Sequence, residues 1–292
     1  MADFDPTKPS IARIYDYLLN GKDNFAADRE VARRLLDVAP LSVAVIRENR
    51  QFLTQAVTWA ATAGISQFID LGCGMPTAPN THQTARAVTA GARVAYVDND
   101  PVVLSHLRAL TAHGDPAVTV VDGDVREADK ILGAVGAGID LTAPACLLVG
   151  FLLHFFEPGD ARDLMARYVP SLAPGSCVVL SAGRADAATI EASRFMSCHV
   201  TPNAANGQPR RSAGYSMPRA SWTMGSSSVP RMRQSSSGSR IFSAPRIDLK
   251  SRPAPTAGGS LPSARPLAAE IRMCRIRLMA LSVEPSCSWV RS

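Results

Sequence analysis

Residues 68–86 read FIDLGCGMPTAPNTHQTAR, and this stretch decides the fold. A short apolar run ends at Asp70. Gly72 and Gly74 follow, then Pro76 and Pro79, then Asn80 with Gln83 three residues on, the spacing of a helix capping box. Strand, glycine loop and helix form the ligand-binding unit of an open parallel sheet, where ligands sit outside the carboxyl ends of the strands. A dinucleotide fingerprint would need a third glycine at position 77, where Thr77 stands. The two prolines lack N–H groups and delay the helix, which displaces the amides that would cradle a pyrophosphate. The loop therefore suits a ligand without phosphates.

Outward from the loop, the apolar pattern alternates between the two periods. Before it, three amphipathic helices are expected: Ser10 to Leu18 with Ser10 as N-cap, about Phe25 to Asp37, and Ser42 to Ala63. Asn20-Gly21 stops the first and Pro40 breaks the second. After Gly64 the expected order is strand Gln67–Leu71, helix Asn80–Ala90, strand Arg93–Val97 and helix Pro101–His113. Strand Val118–Val121, helix Val125–Leu132, strand Ala145–Leu153, helix Asp160–Leu172 and strand Cys177–Ser181 complete it. Such alternation implies an α/β fold, a doubly wound, mostly parallel sheet covered on both faces.

Acidic residues fall at the carboxyl ends of these strands. Asp98, followed by Asn99, ends the second strand, and a carboxylate there can accept hydrogen bonds from vicinal ribose hydroxyls. Both of its oxygens are expected to face the ribose, unpaired in the free protein. Asp124, followed by Val125, follows the third strand, in reach of an adenine amino group. Glycine loop, ribose acid and adenine-edge acid, in that order, suit S-adenosylmethionine (SAM). The alternative is that these aspartates are helix caps, as Asp100 before Pro101 is expected to be. His154 ends the fourth strand and is the candidate base for an acceptor that carries a proton. His82, in the first turn after the glycine loop, is a lesser candidate.

Composition bounds the rest. The chain has 292 residues, 46% hydrophobic, and a formal charge of +6. That charge is uneven: residues 1–206 carry 17 Lys/Arg against 22 Asp/Glu, and residues 207–292 carry 14 against 3. The last segment holds 18 Ser, 13 Arg and 9 Pro, and only Leu267–Val283 has the pattern of a helix. Such a composition buries too little apolar surface to offset chain entropy, so a disordered tail is expected. Its basicity would also fit a nucleic-acid or anionic-membrane arm, but it lacks the interleaved aromatics of a single-strand binder. Ser/Arg/Pro/Ala-rich text is, thirdly, what GC-rich DNA gives when read out of frame. The six cysteines have neither paired nor metal-ligand spacing, which points to a reduced, cytoplasmic protein without a zinc site. The longest apolar run, residues 143–156, is too short to cross a bilayer.

The motifs PSIARIYDYLLNGKDNFAADREVARRLL, ENRQFL, FIDLGCGMPTAPNTHQTA, VAYVDNDPVVLSHLRAL, DGDVRE and LAPGSCVVLS together resemble an actinobacterial S-adenosyl methyltransferase family, once a domain of unknown function. The resemblance covers about residues 8–184. It implies the Rossmann-like class I methyltransferase fold with an N-terminal helical cap, SAM as cofactor, and methyl transfer to an acceptor the family does not identify; a small molecule is expected here. Domains are expected at 1–64 (cap), 65–206 (SAM-binding) and 207–292 (basic tail). The resemblance assigns Asp70, Gly72, Cys73 and Gly74 to the SAM loop, Asp98 and Asn99 to the ribose, and Asp124 and Val125 to the adenine side. In the cap it matches Tyr15, Asp16, Asn20, Gly21, Asn24 and Asp28. Of these, Asn24 is the candidate cofactor contact, and Tyr15 joins His154 as a candidate catalytic group. A family member should also finish with a helix and an antiparallel strand pair, of which residues 207–292 give no clear sign. The rival readings are a SAM-binding regulator without chemistry and a nicotinamide oxidoreductase.

Overall fold

The computed structural model describes residues 4–111, 115–156, 158–183, 191–192, 195–196 and 198–200, together with strands at 233–234, 240–242 and 277–282. Helices α1 (Ile11–Leu18), α2 (Ala26–Val38) and α3 (Ser42–Thr62) come first. The alternating part follows as β1 (Gln67–Leu71), α4 (Thr81–Arg86), β2 (Arg93–Asp98), α5 (Pro101–Leu110), β3 (Val118–Asp122), α6 (Ala128–Val135), β4 (Cys146–Gly150), α7 (Pro158–Tyr168) and β5 (Cys177–Ala182). The five strands are parallel in the order β3-β2-β1-β4-β5, so the order reverses beside β1. That reversal opens a crevice at the carboxyl end of β1, where the glycine loop begins.

The strands divide their side chains by the two-residue pleat. Phe68, Val94, Tyr96, Leu148 and Val179 pack on one face against Phe52, Val57 and Ala60 of α3 and Val103 and Leu107 of α5. Ile69, Leu71, Val97, Leu147, Val149 and Val178 pack on the other against Ile131 and Val135 of α6 and Leu164 and Tyr168 of α7. A third cluster holds the cap together: Ile14 and Leu18 of α1, Val31 and Leu35 of α2, and Ile46 of α3. Met196, Val200 and Phe155 join it, so the loop after β4 reaches the underside of the cap.

Three elements end earlier than their apolar pattern allows. The helix expected over residues 80–90 stops at Arg86, whose Nε donates to the Ala92 carbonyl (3.2 Å) and whose guanidinium pairs with Asp115. The helix expected from Val125 starts at Ala128, because the Asp124 carboxylate accepts the Arg126 N–H (2.9 Å) and forms a turn first. The strand expected to reach Leu153 stops at Gly150. Phe151 takes φ +49°, which no strand continues through, and a 3-10 turn follows at Leu153–Phe155. The end expected for α5 at His113 lies outside the described residues.

In the last segment residues 233–234, 240–242 and 277–282 are strands, where chain without regular structure is expected; the remainder of 207–292 lies outside the described residues. Strand β8 (Arg277–Ser282) pairs antiparallel with β5 along its whole length, and β7 (Arg240–Phe242) and β6 (Arg233–Gln234) follow antiparallel beyond it. Within the helix allowed over Leu267–Val283, residues 277–282 are strand and the others lie outside the described residues. The free edge of β5 offers a row of unpaired N–H and C=O groups, and the apolar run Leu278–Leu281 satisfies it as extended chain.

Candidate functional site

The glycine loop takes the shape its residues dictate. Gly72 and Gly74 lie at φ +62° and +67°, the left-handed region in which a Cβ is costly. A Cβ on Gly72 would also come within 2.9 Å of Leu152 Cδ1, so this loop touches the loop after β4. The N–H groups of Gly72 and Cys73 donate to the Val97 carbonyl (2.9 and 3.2 Å), which folds the loop back over β2.

Asp98 sits at the end of β2, as expected, but its carboxylate is not unpaired. Oδ2 accepts the Gly74 N–H and Oδ1 the Asp100 N–H, both at 2.9 Å. It is a loop anchor as well as a ligand candidate, which corrects the expectation that both oxygens await the ribose. Burial raises its pKa to about 6, outweighing the backbone amides that lower it. Oδ1 keeps a second acceptor position, whereas Oδ2 also receives the Cys73 thiol. Asn99 beside it is exposed at the strand end. The Cys73 thiol lies 3.9 Å from Asp98, and burial pushes its pKa well up, so it stays protonated.

Asp124 and Val125 are placed differently from their assignment. The Asp124 carboxylate is held by Arg126, through Nε at 2.9 and 3.0 Å and through a terminal nitrogen. Burial raises its pKa, yet the Arg126 hydrogen bonds prevail and hold it below the usual carboxylate range. The Val125 side chain is in the core, and its carbonyl accepts the Tyr168 hydroxyl (2.8 Å).

Asp70 ends β1 half-buried and accepts the Thr81 hydroxyl (2.7 Å). It faces a small cavity of about 30 Å³ lined also by Arg50, Gly72, Cys73, Thr81 and Gly150. Arg50 reaches from α3 over the loop and donates to the Thr77 carbonyl (2.8 Å). Burial raises the pKa of Asp70 against the smaller opposing effects of Thr81 and Arg50.

The polar residues of the cap mostly satisfy one another. Asp16 is buried and accepts the Asp23 N–H (3.0 Å) and the Asn24 amide (2.8 Å), while Asn24 Oδ1 accepts from Arg29 (3.1 Å). Asn20 stops α1 at φ +64°. Asp28 is wholly buried and accepts from Arg13 Nε (2.9 Å) and from the Ser10 and Phe25 N–H groups (both 2.8 Å). Arg13 also meets Asp100 at 3.3 Å, and the Ser10 hydroxyl donates to the same carboxylate. Ser10 thus bonds across to the sheet domain rather than capping α1 with its side chain.

The catalytic candidates have separate surroundings. Tyr15 receives the Asn49 amide (3.0 Å); Asn49 Oδ1 accepts the Ser181 hydroxyl (2.6 Å), and Ser181 Oγ accepts the Phe151 N–H (3.1 Å). Burial raises the Tyr15 phenol to about 12, so it is a hydrogen-bonding group and not a base near neutrality. His154 packs between Phe151 (5.3 Å, edge-on) and Phe155 (4.1 Å). Its Nδ1 is buried with no hydrogen-bond partner among the described residues, and burial lowers its pKa to about 4. His82 donates its backbone N–H to the Tyr96 hydroxyl (2.9 Å) and holds it with Nδ1 (2.8 Å).

The sequence model of the S-adenosyl methyltransferase family matches residues 1–213, cap and sheet together. The chain belongs to this family. Among solved structures, it resembles a candidate methyltransferase of Thermobifida fusca (41% identity, 66% of this chain and 74% of that one, TM-score 0.64). It also resembles a DUF574 family protein of Streptomyces avermitilis (32% identity, 68% and 81%, TM-score 0.63). Among curated proteins it is similar to the carboxy-S-adenosyl-L-methionine synthase of Klebsiella pneumoniae, 28% identical over 119 residues. That match takes in 40% of this chain and 43% of the relative, so it spans less than half of the curated protein. The left-handed glycines, the spare acceptor position on Asp98 Oδ1 and the polar cavity beside Asp70 suit the cofactor of the family.

Sequence reasoning passed over Arg13, Asn49, Arg50, Phe151 and Ser181. Asn49 and Arg50 lay in view within ENRQFL, polar residues on an otherwise apolar helix face. Phe151 and Ser181 gave no signal, since their role comes from backbone geometry where two strands end.

Proposed function

We propose that the protein transfers a methyl group from SAM to a small-molecule acceptor. The observation that carries this reading is the family match over cap and sheet, on a glycine loop whose left-handed turns are anchored by the acid at the end of β2. SAM when bound would supply an electrophilic methyl on a sulfonium. Gly72 to Gly74 and Asp70 would hold its amino-acid end, and Asp98 with Asn99 its ribose. Asp124 is less suited to the adenine, because Arg126 occupies its carboxylate. The cap and the loop after β4 would exclude water from the reacting centre, where alignment and desolvation do most of the work. His154, neutral at pH 7, would receive a hydrogen bond from the acceptor or donate one to it. We place the division between cap and SAM-binding domain at residue 64, with the second domain running to 206. Among the described residues no helix is long and apolar enough to cross a membrane, and a cytoplasmic location is proposed from the cysteine pattern.

A second reading has one observation behind it. The curated relatives are carboxy-S-adenosyl-L-methionine synthases, so chemistry on SAM itself would also fit the loop. Incubation with methyl-labelled SAM and a panel of phenols, amines and carboxylic acids separates the two. Label moving to an acceptor, with release of S-adenosylhomocysteine (SAH), supports methyl transfer. A carboxylated SAM, formed without SAH while one of the carboxylic acids loses its carboxyl group as donor and takes up the proton lost from the methyl, supports the second reading.

A further inference from the structure

The cap is joined to the end of β4 by a chain of side-chain hydrogen bonds. The Phe151 N–H can only donate, and it is shared between the Ser181 carbonyl (3.0 Å) and Ser181 Oγ (3.1 Å). Because that oxygen accepts, the Ser181 hydroxyl turns its own hydrogen to Asn49 Oδ1 (2.6 Å). The Asn49 amide nitrogen is left for Tyr15, to whose oxygen it donates (3.0 Å), and the Tyr15 hydroxyl donates to the Ile46 carbonyl (3.4 Å). Every donor direction follows from the one N–H at the start. Asn49 is 2% exposed and Ser181 wholly buried, so a gap in this chain leaves a polar group with no water to replace its partner.

The far end of the chain lies at a backbone position that a bulky side chain rarely adopts. Phe151 is at φ +49°, which a residue holds only where its surroundings impose it. The turn it makes brings Leu152 against Gly72 and sets the His154 ring between Phe151 (5.3 Å, edge-on) and Phe155 (4.1 Å). We propose that Asn49 is a positioning residue for the acceptor side: with Tyr15 and Ser181 it fixes the left-handed turn at Phe151, and through that turn it orients the His154 imidazole. This rests on the reading of His154 as the hydrogen-bonding partner of the acceptor. The relay couples the seating of α1 and α3 to the loop after β4. With the cap displaced the chain is broken, and His154 loses its orientation.

The test reads the His154 ring by NMR in the full chain, with the five histidines isotope-labelled and the signal identified by its loss in His154→Phe. Near neutral pH the ring is uncharged, and the ring currents of Phe151 and Phe155 shape its chemical shift. Asn49→Leu and Ser181→Ala are expected to move the signal in the folded protein, and Tyr15→Phe, one link further away, to move it less. Phe52→Leu, which weakens the core on the same helix outside the relay, is expected to leave it in place. The second readout is turnover of methyl-labelled SAM with an acceptor of the panel above. Asn49→Leu is expected to lower kcat by at least about tenfold, with KM for SAM within a few-fold. A His154 signal at its wild-type position in Asn49→Leu and Ser181→Ala would overturn the proposal, whatever their melting temperatures. So would a moved signal with kcat unchanged. If Asn49→Leu does not fold, Ser181→Ala and Tyr15→Phe decide by the same two readouts. A wild type that moves label to no acceptor would overturn the methyl-transfer reading, and the His154 signal would still decide the relay.

Discussion

The cap and the crevice edge of the sheet both carry polar motifs, yet their polar groups end differently. In the cap, Arg13, Asp16, Asn24 and Asp28 bond to one another, to backbone, and across to Asp100. At the edge, Asp70 and Arg50 share a cavity unpaired with each other, and His154 Nδ1 has no partner among the described residues. A polar motif therefore does not by itself mark a ligand site. What marks it is unspent hydrogen-bonding capacity after the fold has been assembled. Asp98 stands between the two cases: Oδ2 is taken by Gly74 and Cys73 of the loop, and Oδ1, bonded to the Asp100 N–H, has one position left over.

The comparison breaks most readily in the cap. Asp28→Ala leaves the Arg13 guanidinium buried with a lost partner, and the expected cost is about 3–5 kcal/mol. A large fall in melting temperature, with SAM affinity kept in whatever remains folded, would agree. If Asp28→Ala melted like wild type and lost SAM, the cap network would be a ligand site instead.

Asp98→Ala is next in size, and it should move both readouts. Loss of the Gly74 and Asp100 anchors lowers the melting temperature, and loss of the spare Oδ1 acceptor position lowers SAM affinity by at least about tenfold. A lowered melting temperature with affinity within a few-fold of wild type would reduce Asp98 to a loop anchor.

His154 gives the smallest effect, and one with a pH signature. Its pKa in the folded protein, about 4, lies below the ordinary 6.5, so the unfolded chain binds the proton first. The stability from its neutral form is present above about 6.5 and is lost as pH falls towards 4. Asp98 has the opposite sign: its folded pKa of about 6 exceeds the ordinary 3.8. Its contribution is present below 3.8 and is lost as pH rises through about 6. His154→Phe removes an unpaired buried nitrogen and is expected to be neutral or stabilising by about 1 kcal/mol at pH 7. Melting curves from pH 4 to 7 should show the variant losing less stability on acidification than wild type. Equal acid sensitivity would place His154 in contact with solvent or a partner.

Much of this architecture was legible in the sequence because it depends on local rules. The five parallel strands follow from apolar continuity, α5 from Asp100 and Pro101, and the loop from Gly72 and Gly74. What escaped depends on contacts between distant residues. The carboxylate of Asp98 cannot be read as occupied until Gly74 is folded onto β2, and that of Asp124 until Arg126 turns back to it. Arg50 and Asp70 meet only because α3 lies over the carboxyl end of β1. Strand β8 escaped because its pairing answers the open edge of β5, nearly a hundred residues earlier in the chain. The composition of the segment around it gave no hint of that edge.

The central claim is that this loop and edge bind SAM rather than a dinucleotide. Calorimetric titration of the wild-type chain with SAH and with NAD tests it most directly. The account predicts saturable one-site binding of SAH in the micromolar range and NAD weaker by at least about a hundredfold, about 2.7 kcal/mol. NAD binding as tightly as SAH, or more tightly, would contradict it.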